Sequence, residues 1–143
     1  MSTTAANEFV WPVRVYYEDT DAGGVVYYAN YLKFLERART EWLRQLGFEQ
    51  DSLLEDDRIV FPVRRIEIDY LKPARFNDEL KVFARLRDLG SARLEFEQRI
   101  EAGDGGVLCR GIVVVVCVDA DSFRPCRIPA AIHAGITANC LNG

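Results

Sequence analysis

Apolar and polar positions follow two different rhythms along the chain. From Tyr31 to Leu46 the rhythm is helical: Tyr31, Leu35, Ala38, Trp42 and Leu46 fall on one stripe, widened by Phe34 and Leu43. Lys33, Glu36, Arg37, Arg39 and Arg44 fall mainly elsewhere, so the spacing predicts one long helix with a single face to bury. Gly47 supplies its stop. Its start lies between Tyr28 and Asn30, with Asn30 available as a cap.

Beyond Asp57 the period changes to two. Ile66, Ile68 and Tyr70 alternate with Arg65, Glu67 and Asp69; Val82, Ala84 and Leu86 alternate with Lys81, Phe83, Arg85 and Arg87; Ala92, Leu94, Phe96 and Ile100 alternate with Arg93, Glu95, Glu97, Arg99 and Glu101. The breaks at 72–78, 89–91 and 103–106 carry turn chemistry and are short enough for antiparallel neighbours. A further strand, Val13 to Tyr17, is expected before the helix, and Gln50 to Asp57 is at best a short helical turn. The last strand, Val107 to Val118, is apolar at every position from Ile112 on, which implies cover on both faces. One face can pack on the helix. No second long helix is evident for the other, so the expected cover is another copy of the chain, the alternative being the chain's own loops. The fold class is α+β, a five-stranded antiparallel sheet around one long helix. A single domain over residues 9–132 is expected, with tails at 1–8 and 133–143, where no periodicity shows.

Composition narrows the function. The 143 residues carry 18 Lys and Arg against 22 Asp and Glu, a net charge of −4, which is not the basic footprint of a nucleic-acid-binding protein. The first residues lack a basic, apolar leader, and the apolar run Ile112–Val118 falls far short of the roughly 20 residues of a membrane helix. A cytoplasmic protein without membrane insertion is therefore expected. Cys109, Cys117, Cys126 and Cys140 lie 8, 9 and 14 residues apart, matching no metal-binding spacing, and the one histidine is His133, read as a tail residue. Neither a metal nor a disulfide is expected. The cysteines read as small hydrophobes, with Cys109 and Cys117 on the same face by parity.

The chemistry concentrates between the first strand and the helix, in Tyr17-Glu18-Asp19-Thr20-Asp21-Ala22-Gly23-Gly24-Val25-Val26-Tyr27-Tyr28-Ala29-Asn30-Tyr31. Three carboxylates are followed by two glycines and a helix N-terminus, whose unpaired N–H groups can stabilise a developing oxyanion. Gly23 and Gly24 permit close approach, and a carboxylate facing those donors could attack a carbonyl or activate water. Residue types alone fit equally well an acidic surface loop that complements the helix dipole.

The stretch YYEDTDAGGVVYYANYLKFLERARTEWLRQLGF, followed by RRIEIDYLKPARFNDEL, resembles the hotdog-fold acyl-CoA thioesterases of the 4-hydroxybenzoyl-CoA thioesterase family, especially the branch associated with the Tol-Pal envelope system. The likeness spans most of Val13 to Val118 and centres on D-x-D-x-x-G-x-V-[YW]-x-x-x-Y. It implies a hotdog fold, dimers sharing a continuous sheet, frequent tetramers and a pocket between subunits. The family's catalytic carboxylate matches Asp21, and its backbone oxyanion donor matches Tyr28. Many members of the Tol-Pal branch have His where Tyr28 stands; a phenol ionises far above neutrality and cannot replace imidazole as a base, whereas a backbone donor is indifferent to the side chain. The implied activity is hydrolysis of a short-chain or aromatic acyl-CoA, with Asp21 as nucleophile or general base; no cofactor is implied, coenzyme A being part of the substrate. Ser91 and Arg93 match the edge that contacts coenzyme A, while Lys72, Arg75 and Arg87 could meet phosphates or be ordinary surface charges. Glu36 reads as a surface or interface charge. The alternative function is a non-catalytic hotdog scaffold that binds acyl-CoA or an acyl carrier; a hydratase is disfavoured because that chemistry draws on an Asp–His pair and this core has no histidine.

Overall fold

The structure, a computed structural model, describes residues 8–141. Strand β1 (Glu8–Arg14) leads through a 3-10 turn at Tyr17–Asp19 to helix α1 (Asn30–Gln45). A short helix α2 (Gln50–Ser52) and a π-helical turn at Leu53–Asp57 follow, then β2 (Ile59–Val60), β3 (Val63–Tyr70), β4 (Glu79–Leu89), β5 (Arg93–Ala102), β6 (Val107–Val116), β7 (Val118–Asp119) and α3 (Ala130–Ile136). The main sheet has the order β1-β4-β5-β6-β3 with every neighbour antiparallel, and β2 pairs with β7 in a small second sheet.

The expected stripe is the buried face of α1: Tyr31, Phe34, Leu35, Ala38, Trp42 and Leu43 are all buried, and Leu46 is half-buried. Gly47, at φ +100°, takes the left-handed conformation that ends the helix. The helix crosses one face of the sheet where the strands present small residues. Register runs Phe9–Ala84–Gln98–Gly111–Ile68 across the five strands, so Ala84 and Gly111 flank Gln98 beneath the helix. Gln98 is buried, and its amide nitrogen donates to the Leu35 carbonyl at 3.1 Å and the Phe83 carbonyl at 3.4 Å. Its amide oxygen accepts from Arg39 at 2.9 Å. A polar side chain in the core is thus satisfied on both its groups and ties sheet to helix. Arg39, expected among the exposed charges, is instead drawn inward by this contact.

Four expectations change. The first strand is Glu8–Arg14, not Val13–Tyr17: beyond Arg14 the backbone of Val15 bonds to Asp78 and Asn77 in the loop before β4, and the chain then turns at Tyr17. Asn30 is the first helical residue, not the cap; its side-chain amide donates to the Asp19 carbonyl at 2.8 Å. From 133 to 141 the expected tail is helical, because Ile132, Ile136 and Cys140 recur every fourth residue and bury one stripe. His133 accordingly sits in α3. Finally, Val114 and Val116 on the outer face of β6 are each only 8% exposed in the single chain, so this strand does not itself call for a second copy. Cys109 and Cys117 both face the core, as parity requires. The expectation for residues 1–8 lies, Glu8 apart, outside the described residues.

Gly111 leaves no room for a side chain between β6 and β3. A Cβ there would stand 2.4 Å from the Glu67 carbonyl oxygen and 3.2 Å from the Ile68 Cα, both backbone atoms that no rotamer can move. Gly111→Ala should therefore lower stability by about 1–3 kcal/mol or more. Urea denaturation with an unchanged midpoint would show that β3 shifts without cost.

Candidate active site

The segment from Asp19 to Tyr27 folds as a narrow hairpin. The Tyr27 N–H donates to the Asp19 carbonyl at 3.0 Å, the Asp21 N–H to the Val25 carbonyl at 2.9 Å, and the Gly24 N–H to the Asp21 carbonyl at 3.0 Å. Gly24 turns the tip at φ +79°, a conformation open to glycine at little cost. Asp21 stands at this tip, exposed, with its Oδ1 accepting the Gly23 N–H at 2.8 Å. A Cβ on residue 23 would lie 3.2 Å from that same oxygen, so the first glycine makes the seat of the carboxylate and the second makes the turn.

Asp19 has a different task. Its carboxylate accepts the Tyr16 N–H at 2.8 Å, while its carbonyl accepts both the Tyr27 N–H and the Asn30 side chain. It pins the hairpin to the start of α1. The Val26 N–H reaches the Ala74 carbonyl at 2.8 Å, and the Ala74 N–H reaches the Tyr31 hydroxyl at 2.9 Å, so the loop before β4 forms the wall behind the hairpin.

The helix entrance completes the site. Among the described residues no acceptor takes the N–H of Tyr28 or of Ala29, whereas the Asn30 N–H is bonded to the Tyr27 carbonyl. Two adjacent donors are left open at the positive end of α1, the arrangement that receives negative charge. Tyr70, at the end of β3, donates its hydroxyl to the Tyr28 carbonyl at 3.3 Å and meets the Tyr28 ring edge-on at 6.0 Å. Burial raises the Tyr70 phenol above its ordinary value, so the hydroxyl remains protonated as a donor. A rim of partly exposed aromatic rings surrounds the entrance: Tyr27 lies 4.9 Å from Tyr28, and Tyr17 meets Phe76 edge-on at 5.8 Å.

The expected site residues separate into two groups. Asp21, Gly23, Gly24 and Tyr28 share the hairpin and helix entrance; Arg75 joins them through a bridge to Val25, and Lys72 begins the same wall loop. Arg87, Ser91 and Arg93 do not join them in one chain. They cluster at the far end of β4 and its turn, where Arg87 pairs with Glu95 at 3.4 Å and Arg93 with Asp88 at 2.8 Å. At about 3.3 Å per residue, Arg87 lies eight positions, on the order of 26 Å, from the Glu79 end of β4. Tyr70, Tyr31, Asn30 and the Ala29 amide were not anticipated. Alternation put Tyr70 on the inner face, but nothing local to it points to a partner 42 residues away.

Comparison with known proteins bears on this geometry. Residues 15–136 match the family model of the thioesterase-like superfamily. The chain belongs to that family. It is 46% identical over 134 residues to the acyl-CoA thioester hydrolase YbgC of Escherichia coli O6:H1, covering 94% of this chain and 97% of that protein. A probable thioesterase from Bartonella henselae superposes with a TM-score of 0.81 at 36% identity, over 85% of this chain and 99% of that one. The DHNA-CoA thioesterase of Staphylococcus aureus shares the fold, with a TM-score of 0.86 at 24% identity over 92% and 89%. The hotdog architecture and the thioester-hydrolase class anticipated from the motif are both borne out by these relatives.

Two of the four cysteines, Cys109 and Cys117, are sealed in the core. Burial pushes the thiols of Cys109 and Cys117 up to about 12, leaving them protonated at neutral pH and unfit as nucleophiles. Iodoacetamide at pH 7 should leave thioesterase activity unchanged; stoichiometric inactivation would transfer the chemistry from carboxylate to thiol.

Proposed function

We propose that the protein hydrolyses a short-chain or aromatic acyl-CoA to the free acid and coenzyme A, with Asp21 as the reacting carboxylate. The observation that carries the reading is a seated, exposed carboxylate at the tip of a hairpin that leads directly into two open amide donors at the helix entrance. The thioester carbonyl is received by the Tyr28 N–H, with the Ala29 N–H beside it. Asp21 either attacks the carbonyl carbon, expelling the coenzyme A thiolate and leaving a mixed anhydride for water to cleave, or takes a proton from the water that attacks directly. Both routes add one water and release acid and thiol. The open amides stabilise the tetrahedral oxyanion, a task worth about 2.7–4 kcal/mol per donor elsewhere. The aromatic rim supports an apolar or aromatic acyl group.

The active form is a homodimer or homotetramer. Support comes from β3, an edge strand with no neighbour on its outer side among the described residues, whose Ile66 and Ile68 are only half-buried in the single chain. The other edge, β1, contains Pro12, which cannot extend a ladder. Joining two sheets along β3 is also what the family resemblance implies, and a second copy is the means by which Ser91, Arg87 and Arg93 approach a partner's Asp21 to hold the coenzyme A phosphates, alongside Lys72 and Arg75. No cofactor takes part, and a cytoplasmic enzyme is consistent with a chain in which no described helix is long and apolar enough to cross a membrane.

Thiol release over a panel of acyl-CoAs tests the reading. Asp21→Asn should lower turnover by about 10³-fold or more. Asp19→Asn keeps an acceptor for the Tyr16 N–H and should retain most activity, as should Tyr28→Phe, which keeps the amide. Equal losses at positions 19 and 21 would make the motif structural, and loss on Tyr28→Phe in a folded protein would assign the donor role to the phenol. Binding of acyl-CoA without thiol release from any would favour a scaffold.

A further inference from the structure

Thioester hydrolysis uses no thiol, yet the fold brings two together. Cys117, between β6 and β7, and Cys126, in the loop before α3, place their sulfur atoms 3.7 Å apart. Spacing along the chain does not single out this pair; the turn at 119–124 makes it. The Asp119 N–H donates to the Arg124 carbonyl at 2.9 Å, Val118 forms an antiparallel bridge with Pro125, and the Cys126 N–H donates to the Cys117 carbonyl at 2.9 Å, so the two cysteines stand directly opposite each other. Residues so placed have Cα atoms about 4.5–5.5 Å apart, inside the roughly 4.4–6.8 Å that a disulfide spans. Neither position relies on sulfur to hold it. The Cys117 N–H donates to the Ala92 carbonyl at 2.7 Å and the Ile128 N–H to the Ser91 carbonyl at 2.8 Å, which pins both segments to the turn between β4 and β5. Access differs: of the four thiols only Cys126 is not buried, and it packs at the edge of the apolar cluster that encloses Cys117. Two thiolates fall short of the four ligands of a structural zinc, and no group of three metal-ligating side chains forms among the described residues.

We propose that Cys117 and Cys126 form a reversible disulfide when the protein meets a hydroperoxide, a redox staple between the end of β6 and the loop that leads to α3. The Cys126 thiolate attacks one peroxide oxygen; the O–O bond breaks, the proton that Cys126 lost turns the departing hydroxide into water, and a sulfenic acid remains. The Cys117 sulfur then attacks the sulfenic sulfur, the S–O bond breaks, and the hydroxyl leaves with the Cys117 proton as a second water. Two thiols lose two electrons, and one hydrogen peroxide becomes two waters. Burial, and then the hydrogen bond with Cys126, push the Cys117 thiol up to about 12, so it does not start the sequence. As the second sulfur it needs no encounter: an effective molarity of about 10⁵ M or more for well-placed groups offsets a thiolate fraction of about 10⁻⁵ at pH 7. The inference goes beyond thioester hydrolysis and does not rest on it, since Asp21 and the helix entrance take no part.

Thiol labelling after oxidation reads the pair directly. Trypsin, which does not cut before Pro125, releases residues 111–127 as one peptide that holds Cys117 and Cys126, while Cys109 and Cys140 fall in others. The native full chain, treated with hydrogen peroxide at pH 8 and then unfolded in N-ethylmaleimide, should give this peptide without label and two hydrogens lighter. Dithiothreitol before unfolding should restore both labels. Cys126→Ser should keep a labelled Cys117 under the same peroxide, and Cys117→Ala should stop at a sulfenic acid on Cys126 that dimedone traps; the wild-type peptide and Cys126→Ser carry the test should Cys117→Ala fail to fold. The oxidised wild type should melt a few degrees above the reduced protein, because the closed loop restricts the unfolded chain. The proposal is overturned by a peptide that keeps both labels, as when a second copy covers Cys126, by sulfinic acid on Cys126 beside a free Cys117, by a Cys126 disulfide between two chains, or by a melting temperature that does not rise. Peptide masses are read without turnover, so its failure is distinct from a failure of Asp21.

Discussion

The candidate site depends on α1 being held at one rotation over the sheet, and the polar contact that ties the helix to the sheet is Gln98. Apolar packing alone tolerates small slides of a helix, because burial is roughly proportional to area and has no direction. A buried amide is directional: displaced from the Leu35 carbonyl, Gln98 would keep only its longer bond to the Phe83 carbonyl and lose a buried hydrogen bond worth about 1 kcal/mol. Leu35 lies within the first two turns of α1, so the clamp acts near the end that matters. Ala84 and Gly111 flank Gln98 on the two neighbouring strands.

From that fixed helix the site follows by short local steps. Asn30 reaches back to Asp19, Asp19 holds Tyr16 and Tyr27, and the hairpin so formed carries Asp21 at its tip. Tyr70 grips the Tyr28 carbonyl from the end of β3, so the peptide bearing the Ala29 amide is anchored to the sheet as well as to the helix. The two open N–H groups are open because the helix begins there, where the first turn has no earlier carbonyl to bond. Catalytic potential here is a by-product of helix geometry, aimed by a loop.

Most of the frame was legible because it is written in periodicity. The α1 stripe and the alternation in β3, β4 and β5 are repeated signals, and each residue confirms its neighbours. The misses are contacts rather than patterns. Arg39 reads as one more helix charge until Gln98, 59 residues away, turns it inward. Val15 is apolar and extended, yet its backbone bonds to a loop at 77–78 instead of a ladder, so β1 lies earlier than alternation suggested. The α3 stripe, Ile132, Ile136 and Cys140, was present in the sequence but too short and too mixed with small residues to stand out. At the site, the D-x-D motif and glycines were visible by type, and which carboxylate does what became visible only from the hydrogen bonds that occupy Asp19 with structure and leave one oxygen of Asp21 available.

The central claim is that the amides of Tyr28 and Ala29 receive the thioester oxygen. Amide NMR with an acyl-CoA analogue whose thioester sulfur is replaced by methylene, a ketone that cannot be hydrolysed, tests it directly. On saturation the Tyr28 amide proton, with or without that of Ala29, should move downfield while amides at the far end of α1 stay in place. An analogue that binds and leaves both resonances unmoved would contradict the account.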